Sequence, residues 1–230
     1  DRPLVLLAHG NGGHPELLVP LAEGLAAHGA VVAAPIFPAT NRYGDSAGLA
    51  LPDLYNQPED LAFVRAALGD SANDPASPLY RRVDVDRAIA VGHSLGGATV
   101  AGWTRWGDDP QTDLLATVLV APATFLNAPF GEGPHAAGPP LQLVHGDADS
   151  VIAVSVSEEL MAVADDPVAL VVMPGVGHSE PFEGEGVAAM ETFRLVRGVF
   201  DTVTGADPGA WEAALSLTAE RGNLVSSSGL

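Results

Sequence analysis

The sequence predicts an α/β protein built on a doubly wound, mostly parallel sheet. Three observations carry this. Strand-like apolar runs alternate with helix-like segments along the 230 residues, the order that generates a parallel sheet flanked by helices. Several runs are apolar on both faces, as strands buried between two helical layers must be. One of them ends in a serine set between glycines, at a point where strand must turn sharply into helix.

The first apolar run, 4–8, reads as a strand, and the glycine-rich stretch His9-Gly10-Asn11-Gly12-Gly13-His14 after it as a loop. Further strands are expected at 30–36, 87–91, 115–120, 141–144 and 169–173. The third extends back to 83, being apolar at Val83, Val85, Ala88, Ile89, Ala90 and Val91. Helices are expected at 15–27, 58–68, 95–106, 155–164, 186–204 and 208–220. In the fifth of these, Val187, Met190, Phe193, Val196, Phe200 and Val203 recur at three- and four-residue steps, a helical stripe. Two long segments read as loops: 37–57, with Tyr43, Leu49, Leu51, Leu54 and Tyr55, and 122–140, with Phe125 and Phe130. Ligands bind at the carboxyl ends of strands in open α/β sheets, so these loops are expected to wall a cleft. No linker-like break interrupts the composition, which predicts one domain over 1–230; only 226–228 reads as a low-complexity tail.

Composition narrows the function. The net charge is −19 and all ten cations are arginines, of which only Arg81 and Arg82 are adjacent. Nucleic acid, which needs clustered cations, is therefore not an expected partner. No apolar run reaches the ~20 residues of a membrane span; the nearest, 114–131, is interrupted by Pro122, Asn127 and Pro129. Cysteine is absent, which removes disulfides, thiolate nucleophiles and cysteine metal sites.

The chemistry centres on Gly92-His93-Ser94-Leu95-Gly96-Gly97. A G-x-S-x-G run between a buried strand and a small-residue helix is the pattern of a nucleophile elbow, with Ser94 held out on a tight turn. A serine hydroxyl needs a base, and the base needs orienting. Of the seven histidines, His178 stands in a glycine-rich turn just after the strand at 169–173 and is the expected base. His93 adjoins the serine but should point away from it, His9 and His145 end strands, His28 follows a helix, and His14 and His135 lie in loops. The orienting acid should lie between serine and histidine in the chain. His145-Gly146-Asp147-Ala148-Asp149 offers two carboxylates. The G-x-x-D spacing from Gly146 favours Asp149 and leaves Asp147 as a turn residue. A calcium loop would need a further ligand, a turn glycine and a distal glutamate that are missing. Oxyanion donors are expected from the backbone N–H of Leu95 and from the loop after the first strand, at Asn11. That loop has neither the lysine nor the spacing of a phosphate cradle. His14, His93, Phe125 and Val151 are the expected substrate-contacting residues.

Together these residues resemble the α/β-hydrolase superfamily over nearly the whole chain. Within it, Ser77-Pro78-Leu79-Tyr80 through Val83-Asp84, Asn56-Gln57-Pro58-Glu59-Asp60, the elbow, and Asp149-Ser150-Val151-Ile152-Ala153-Val154 are similar to one branch. That branch takes in dienelactone-hydrolase-like, acetylhydrolase/chlorophyllase-like and cutinase-like polyester hydrolases. The resemblance implies Ser94 as nucleophile, Asp149 as acid, His178 as base, and oxyanion amides on Asn11 and Leu95. The chain departs from the branch in three ways. It lacks the cysteine nucleophile of dienelactone hydrolases proper. It has Asn11 and Ala123 where cutinase-like polyester hydrolases usually carry an aromatic and a tryptophan. The two N-terminal strands common in the superfamily have no counterpart, so either the sheet is shortened or the chain is trimmed. The roughly twenty residues between the strand at 115–120 and the next are too few for a large cap.

The expected activity is that of a serine carboxylic-ester hydrolase on short-chain acyl esters, working through an acyl-enzyme with no metal or organic cofactor. Polyester hydrolysis, acyl transfer or perhydrolysis by the same triad, and a catalytically inactive binding protein are the alternatives. The substrate is expected to be a small-molecule or polymeric ester and the setting secreted or extracytoplasmic, with a cytoplasmic one as the alternative.

Overall fold

A computed structural model of the chain describes residues 1–44, 50–165 and 167–229. Seven strands form one sheet: β1 (Arg2–Ala8), β2 (Val31–Ala33), β3 (Val83–His93), β4 (Ala116–Val120), β5 (Leu141–Gly146), β6 (Val168–Met173) and β7 (Leu224–Ser228). Their order across it is β2-β1-β3-β4-β5-β6-β7. The first six run parallel and β7 runs antiparallel along β6. Helices α1 (Val19–Ala27), α5 (Val187–Val203) and α6 (Ala210–Glu220) contribute to the core on one face. Helices α2 (Leu51–Asn73), α3 (Leu95–Arg105) and α4 (Ser155–Val163) contribute to the other.

Side-chain alternation divides each strand between two cores, because successive residues point to opposite faces. Val5 and Leu7 join Ile89, Val91 and Val118 in the cluster that includes Leu21, Leu25, Leu195 and Phe200. Leu4, Leu6 and Ala8 join Ala88, Ala90 and Leu119 in the cluster that includes Leu61, Val100, Trp103 and Leu160. Hence the central strands read as unbroken apolar runs.

Four elements differ from expectation. Helix α2 begins at Leu51 and runs through Pro58 instead of starting there. A proline inside a helix removes one hydrogen bond, and the burial of Leu54, which packs with Leu95, Ala98 and Ile152, supports the extra turns. Leu51, Leu54 and Tyr55 are thus helical, while Leu49 lies outside the described residues. Strand β2 is shorter than the apolar run at 30–36 because the chain leaves the sheet after Ala33. The stripe on α5 is displaced: Val187 is 82% and Met190 57% exposed, while Leu195, Val196, Val199 and Phe200 are buried. The serine-rich tail is strand β7. It is mostly exposed and paired through its backbone, so its side chains carry no alternating apolar signal.

Buried polar pairs pin the back of the sheet. The Trp211 indole N–H on α6 donates to Oε1 of Gln142 on β5 at 2.7 Å, and both residues are buried. Replacing Trp211 by Phe leaves the carboxamide oxygen buried without that donor. The expected loss, read from urea unfolding midpoints, is ~1–3 kcal/mol. A change within experimental error would show that the bond carries no stability.

Candidate active site

The parallel strands end at one edge of the sheet, and the predicted site residues lie on the loops that leave it. Ser94 follows β3 with φ 53° and ψ −116°. This is a left-handed backbone that costs a side-chain-bearing residue roughly 1–3 kcal/mol and persists only when its surroundings hold it. Here they do. The Ser94 N–H donates to the Val120 carbonyl at 2.9 Å, and its carbonyl accepts from the Ala123 and Ala98 amides, each at 3.0 Å. The flanking glycines are required by contact. A Cβ on Gly92 would stand 2.3 Å from the Gly96 carbonyl oxygen, and one on Gly96 would stand 2.2 Å from that of Ala8.

Ser94 Oγ lies 2.8 Å from Nε2 of His178, and Nδ1 of His178 lies 2.6 Å from Oδ2 of Asp149. The structure brings these three together in one chain of hydrogen bonds. The Asp149 carboxylate has no solvent-exposed surface. Its second oxygen accepts the Val151 and Ile152 amides at 2.7 and 2.8 Å. Burial works against its charge, but the Ile152 amide, the His178 ring and the Val151 amide together outweigh it, and its carboxyl is held below the usual range. An ionised carboxylate only accepts, so His178 carries its proton on Nδ1 and turns the Nε2 lone pair to the serine.

Asp147 does something else. Its Oδ1 accepts the Gly175 amide at 2.6 Å, while its own N–H donates to the Met173 carbonyl. It joins the loop carrying Asp149 to the loop carrying His178.

Asn11 and Leu95 sit on the turn after β1 and at the first position of α3. Neither backbone N–H has a partner among the described residues. Gly10 brings the two segments together, since a Cβ there would lie 3.1 Å from Cβ of Ser94.

The expected substrate contacts divide. Phe125 and Val151 are 62% and 66% exposed. Phe125 borders a groove of about 650 Å³ with Trp106, Val156 and Leu160, whose lining includes none of Ser94, Asp149 and His178. His14 is buried; its Nδ1 accepts the Glu16 amide and its ring meets Tyr43 edge-on. His93 is also buried, stacked on Phe182 and tilted against His178. Its Nε2–H donates to the His178 carbonyl at 3.0 Å. The structure thus gives His14 and His93 contacts within the site's frame.

Several groups around the site carried no signal in the sequence. Arg105 has no exposed surface, and its guanidinium donates to the carbonyls of Ala136 and Pro139 at 2.8 and 2.6 Å. It fastens the segment 121–140, which forms two 3₁₀ turns and loop instead of a cap. His145, beneath the acid, places Nε2 3.0 Å from the Ile152 carbonyl and 3.3 Å from Asp149. Among the described residues no cluster of three or more His, Asp or Glu is placed to hold a metal ion, and no helix is long and apolar enough to cross a membrane.

No protein-family model matches the chain. It is similar to two uncharacterized proteins of Mycobacterium tuberculosis, from strains CDC 1551 and H37Rv. Each is 28% identical over 200 residues, covering 84% of this chain and 68% of theirs. Among solved structures it is similar to a thermophilic esterase from the planctomycete Thermogutta terrifontis. The propionate-bound and butyrate-bound forms give a TM-score of 0.64 at 19% identity, covering 85% of this chain and 81% of that one. The same esterase phosphoramylated by tabun matches at 20% identity with the same TM-score.

Burial pushes His93 down to about 3, with the neighbouring His178 ring adding to the effect. His9 and His145 are lowered too, first of all by burial. An unfolded imidazole takes up a proton near pH ~6.5. Between there and about 3 the unfolded chain binds a proton that folded His93 refuses, so stability falls as pH falls, by up to ~1.4 kcal/mol per pH unit. His93→Gln retains an N–H donor and removes this proton. The slope of unfolding free energy against pH in that window is expected to flatten by about one proton, and an unchanged slope would contradict the assignment. The seven-stranded sheet, the elbow and the neighbours in structure together give this chain the α/β-hydrolase fold.

Proposed function

We propose that the protein is a serine carboxylic-ester hydrolase acting on short-chain acyl esters. The observation that carries this reading is the continuous hydrogen-bonded line from Ser94 through His178 to Asp149, seated on a strained elbow. Ser94 Oγ attacks the ester carbonyl and His178 Nε2 takes its proton. Asp149 holds the imidazole in the correct tautomer and stabilises the imidazolium. Charge that develops on the carbonyl oxygen is met by the Asn11 and Leu95 amides. The protonated His178 then gives its proton to the leaving alcohol. Water, activated by the same ring, releases the acid and restores the serine.

The substrate class is supported by three considerations. The chain between β4 and β5 folds as short turns, which leaves the edge open. Exposed Tyr43, Phe125 and Val151 stand on three of the loops that leave this edge. The solved esterase similar in fold is bound to propionate in one form and butyrate in another, both short acyl acids.

Hydrolysis of p-nitrophenyl esters from acetate to dodecanoate, beside one polyester and with an alcohol as competing acceptor, tests the reading. The fastest turnover is expected on the shortest acyl chains. Ser94→Ala is expected to lose several orders of magnitude, since losing the nucleophile costs ~10⁶ in a serine protease. Substantial hydrolysis by the purified variant would overturn the assignment, and predominant transfer to the alcohol would make the protein an acyltransferase.

The two neighbouring aspartates provide a second test. Asp149→Asn reverses the polarity of the bond to Nδ1 and favours the wrong tautomer, a change that costs ~10⁴ in kcat in the serine-protease template. Asp147→Asn keeps an acceptor oxygen for the Gly175 amide and is expected to cost about tenfold or less, a small share of what is lost when a triad tautomer is wrong. A large loss at Asp147 with a small one at Asp149 would reassign the acid.

A further inference from the structure

The Asn11 and Leu95 amides can serve one oxyanion only if two separate segments hold a fixed spacing. The turn at Asn11 is closed by the Gly13 N–H, which donates to the Gly10 carbonyl at 2.9 Å, and it is fastened from outside as well. Gly12 N–H donates to the Thr40 carbonyl at 2.7 Å, and Arg42 N–H donates to the Gly13 carbonyl at 2.8 Å. The turn is therefore tied at Gly12 and Gly13 to the segment 37–42.

That segment is grasped by α2. Oδ2 of Asp53 accepts the Thr40 amide at 2.9 Å and the Thr40 hydroxyl at 2.8 Å. One helical turn on, the Gln57 carboxamide donates to Thr40 Oγ1 at 2.7 Å and to Asp53 Oδ2 at 3.3 Å. Its oxygen accepts the hydroxyl of Thr99 on α3. Thr99 Oγ1 in turn lies 3.0 Å from the carbonyl of Leu95, one turn back on the same helix. Thr40, Gln57 and Thr99 are all buried, Gln57 and Thr99 with no exposed surface.

We propose that Gln57 is a positioning residue for the oxyanion site: through Thr40 on one side and Thr99 on the other it locks the Asn11 segment to the helix that begins at Leu95. This rests on the ester-hydrolase reading above. The residue type fits the task. A carboxamide offers donors at one end and an acceptor at the other, and here each end has its partner. A glutamate could not donate to Thr40 and would set a second carboxylate against Asp53. An apolar side chain of similar length would fill the space but break both links, leaving the Thr40 hydroxyl with Asp53 alone and that of Thr99 with the Leu95 carbonyl alone. Satisfied buried networks of this kind rigidify what they join, and displacements of about 1 Å near reacting atoms cost ~10² in rate.

The test compares wild type with Gln57→Met and Thr99→Val by hydrolysis of p-nitrophenyl acetate. It also compares their inhibition by a trifluoromethyl ketone, whose serine adduct places an oxyanion between the two amides. Gln57→Met is expected to lower kcat by ~10–100-fold, short of the ~10²–10³ lost when an oxyanion donor is removed outright. KM should stay within about threefold, and inhibitor affinity should fall in parallel with kcat, because an interaction made in the transition state is what is lost. Thr99→Val cuts only the link to α3 and should move both quantities in the same direction by less. Unchanged kcat and inhibitor affinity in a folded Gln57→Met, a change confined to KM, or a fall in kcat with full inhibitor affinity would each overturn the proposal. If Gln57→Met does not fold, Thr99→Val decides by the same criteria. Absence of Ser94-dependent hydrolysis in the wild type would instead refute the ester-hydrolase reading, and this inference with it.

Discussion

The backbone of Ser94 is the constraint on which the rest of this site depends. Its left-handed conformation lies between β3 and α3, and three other parts of the chain enforce it. Val120 at the end of β4 accepts its amide, Ala123 beyond that strand donates to its carbonyl, and the Ala8 carbonyl of β1 presses on Gly96. The strand ends that hold the elbow are adjacent because the ladder pairs Ala8 with Gly92 and His93 with Val120. The same contacts set the Leu95 amide beside the turn that carries Asn11. A methyl group at Gly96 would push β1 and α3 apart, and with them the turn that carries Asn11 and the Leu95 amide.

Asp149 and His178 answer to a second ladder. Gly146 pairs with Met173 at the ends of β5 and β6, so the two loops leave the sheet side by side. Backbone bonds from Asp147 to Met173 and from Ala148 to Val176, with the Asp147 carboxylate on Gly175, lash them together. His93 anchors the far end of the base loop by its bond to the His178 carbonyl. The elbow thus grips both its neighbour in the hydrogen-bond line and that neighbour's main chain.

How much of this could be read from the sequence depends on whether a residue announces its role alone. Strands buried on both faces are continuous apolar runs, and β1, β3, β4, β5 and β6 were legible for that reason. Ser94, Asp149 and His178 were singled out by glycine spacing and chain order, and they meet in the structure. Strand β7 was not legible, because it is held by main-chain bonds to β6 and shows solvent mostly serine. The first turns of α2 were hidden by Pro58, whose local preference is outweighed by the burial of Leu54. Gln57, Thr99, Arg105 and Gln142 join parts of the chain through partners distant in sequence, such as Thr40, Pro139 and Trp211. A polar residue in an apolar stretch reads the same whether its partner exists or not.

Histidine shows how placement separates roles that residue type cannot. Four imidazoles near this edge of the sheet differ in setting, and burial pushes three of them down. His9 accepts the Phe37 amide at one nitrogen and faces the Gly10 carbonyl with the other. His145 faces the Ile152 carbonyl with one nitrogen and the Ser157 hydroxyl with the other. His93 uses one nitrogen on the His178 carbonyl, and its other is buried without a partner among the described residues. Burial lowers all three, so a proton arriving at this edge is disfavoured on each of them. The fourth ring, His178, retains a little solvent access, has the serine hydroxyl at one nitrogen, and has a buried carboxylate at the other. The other three rings thus do more than pack. In the ester-hydrolase reading proposed above, burial disfavours charge on each of them, and a proton taken from Ser94 would rest on His178, next to the oxygen to which it must be returned.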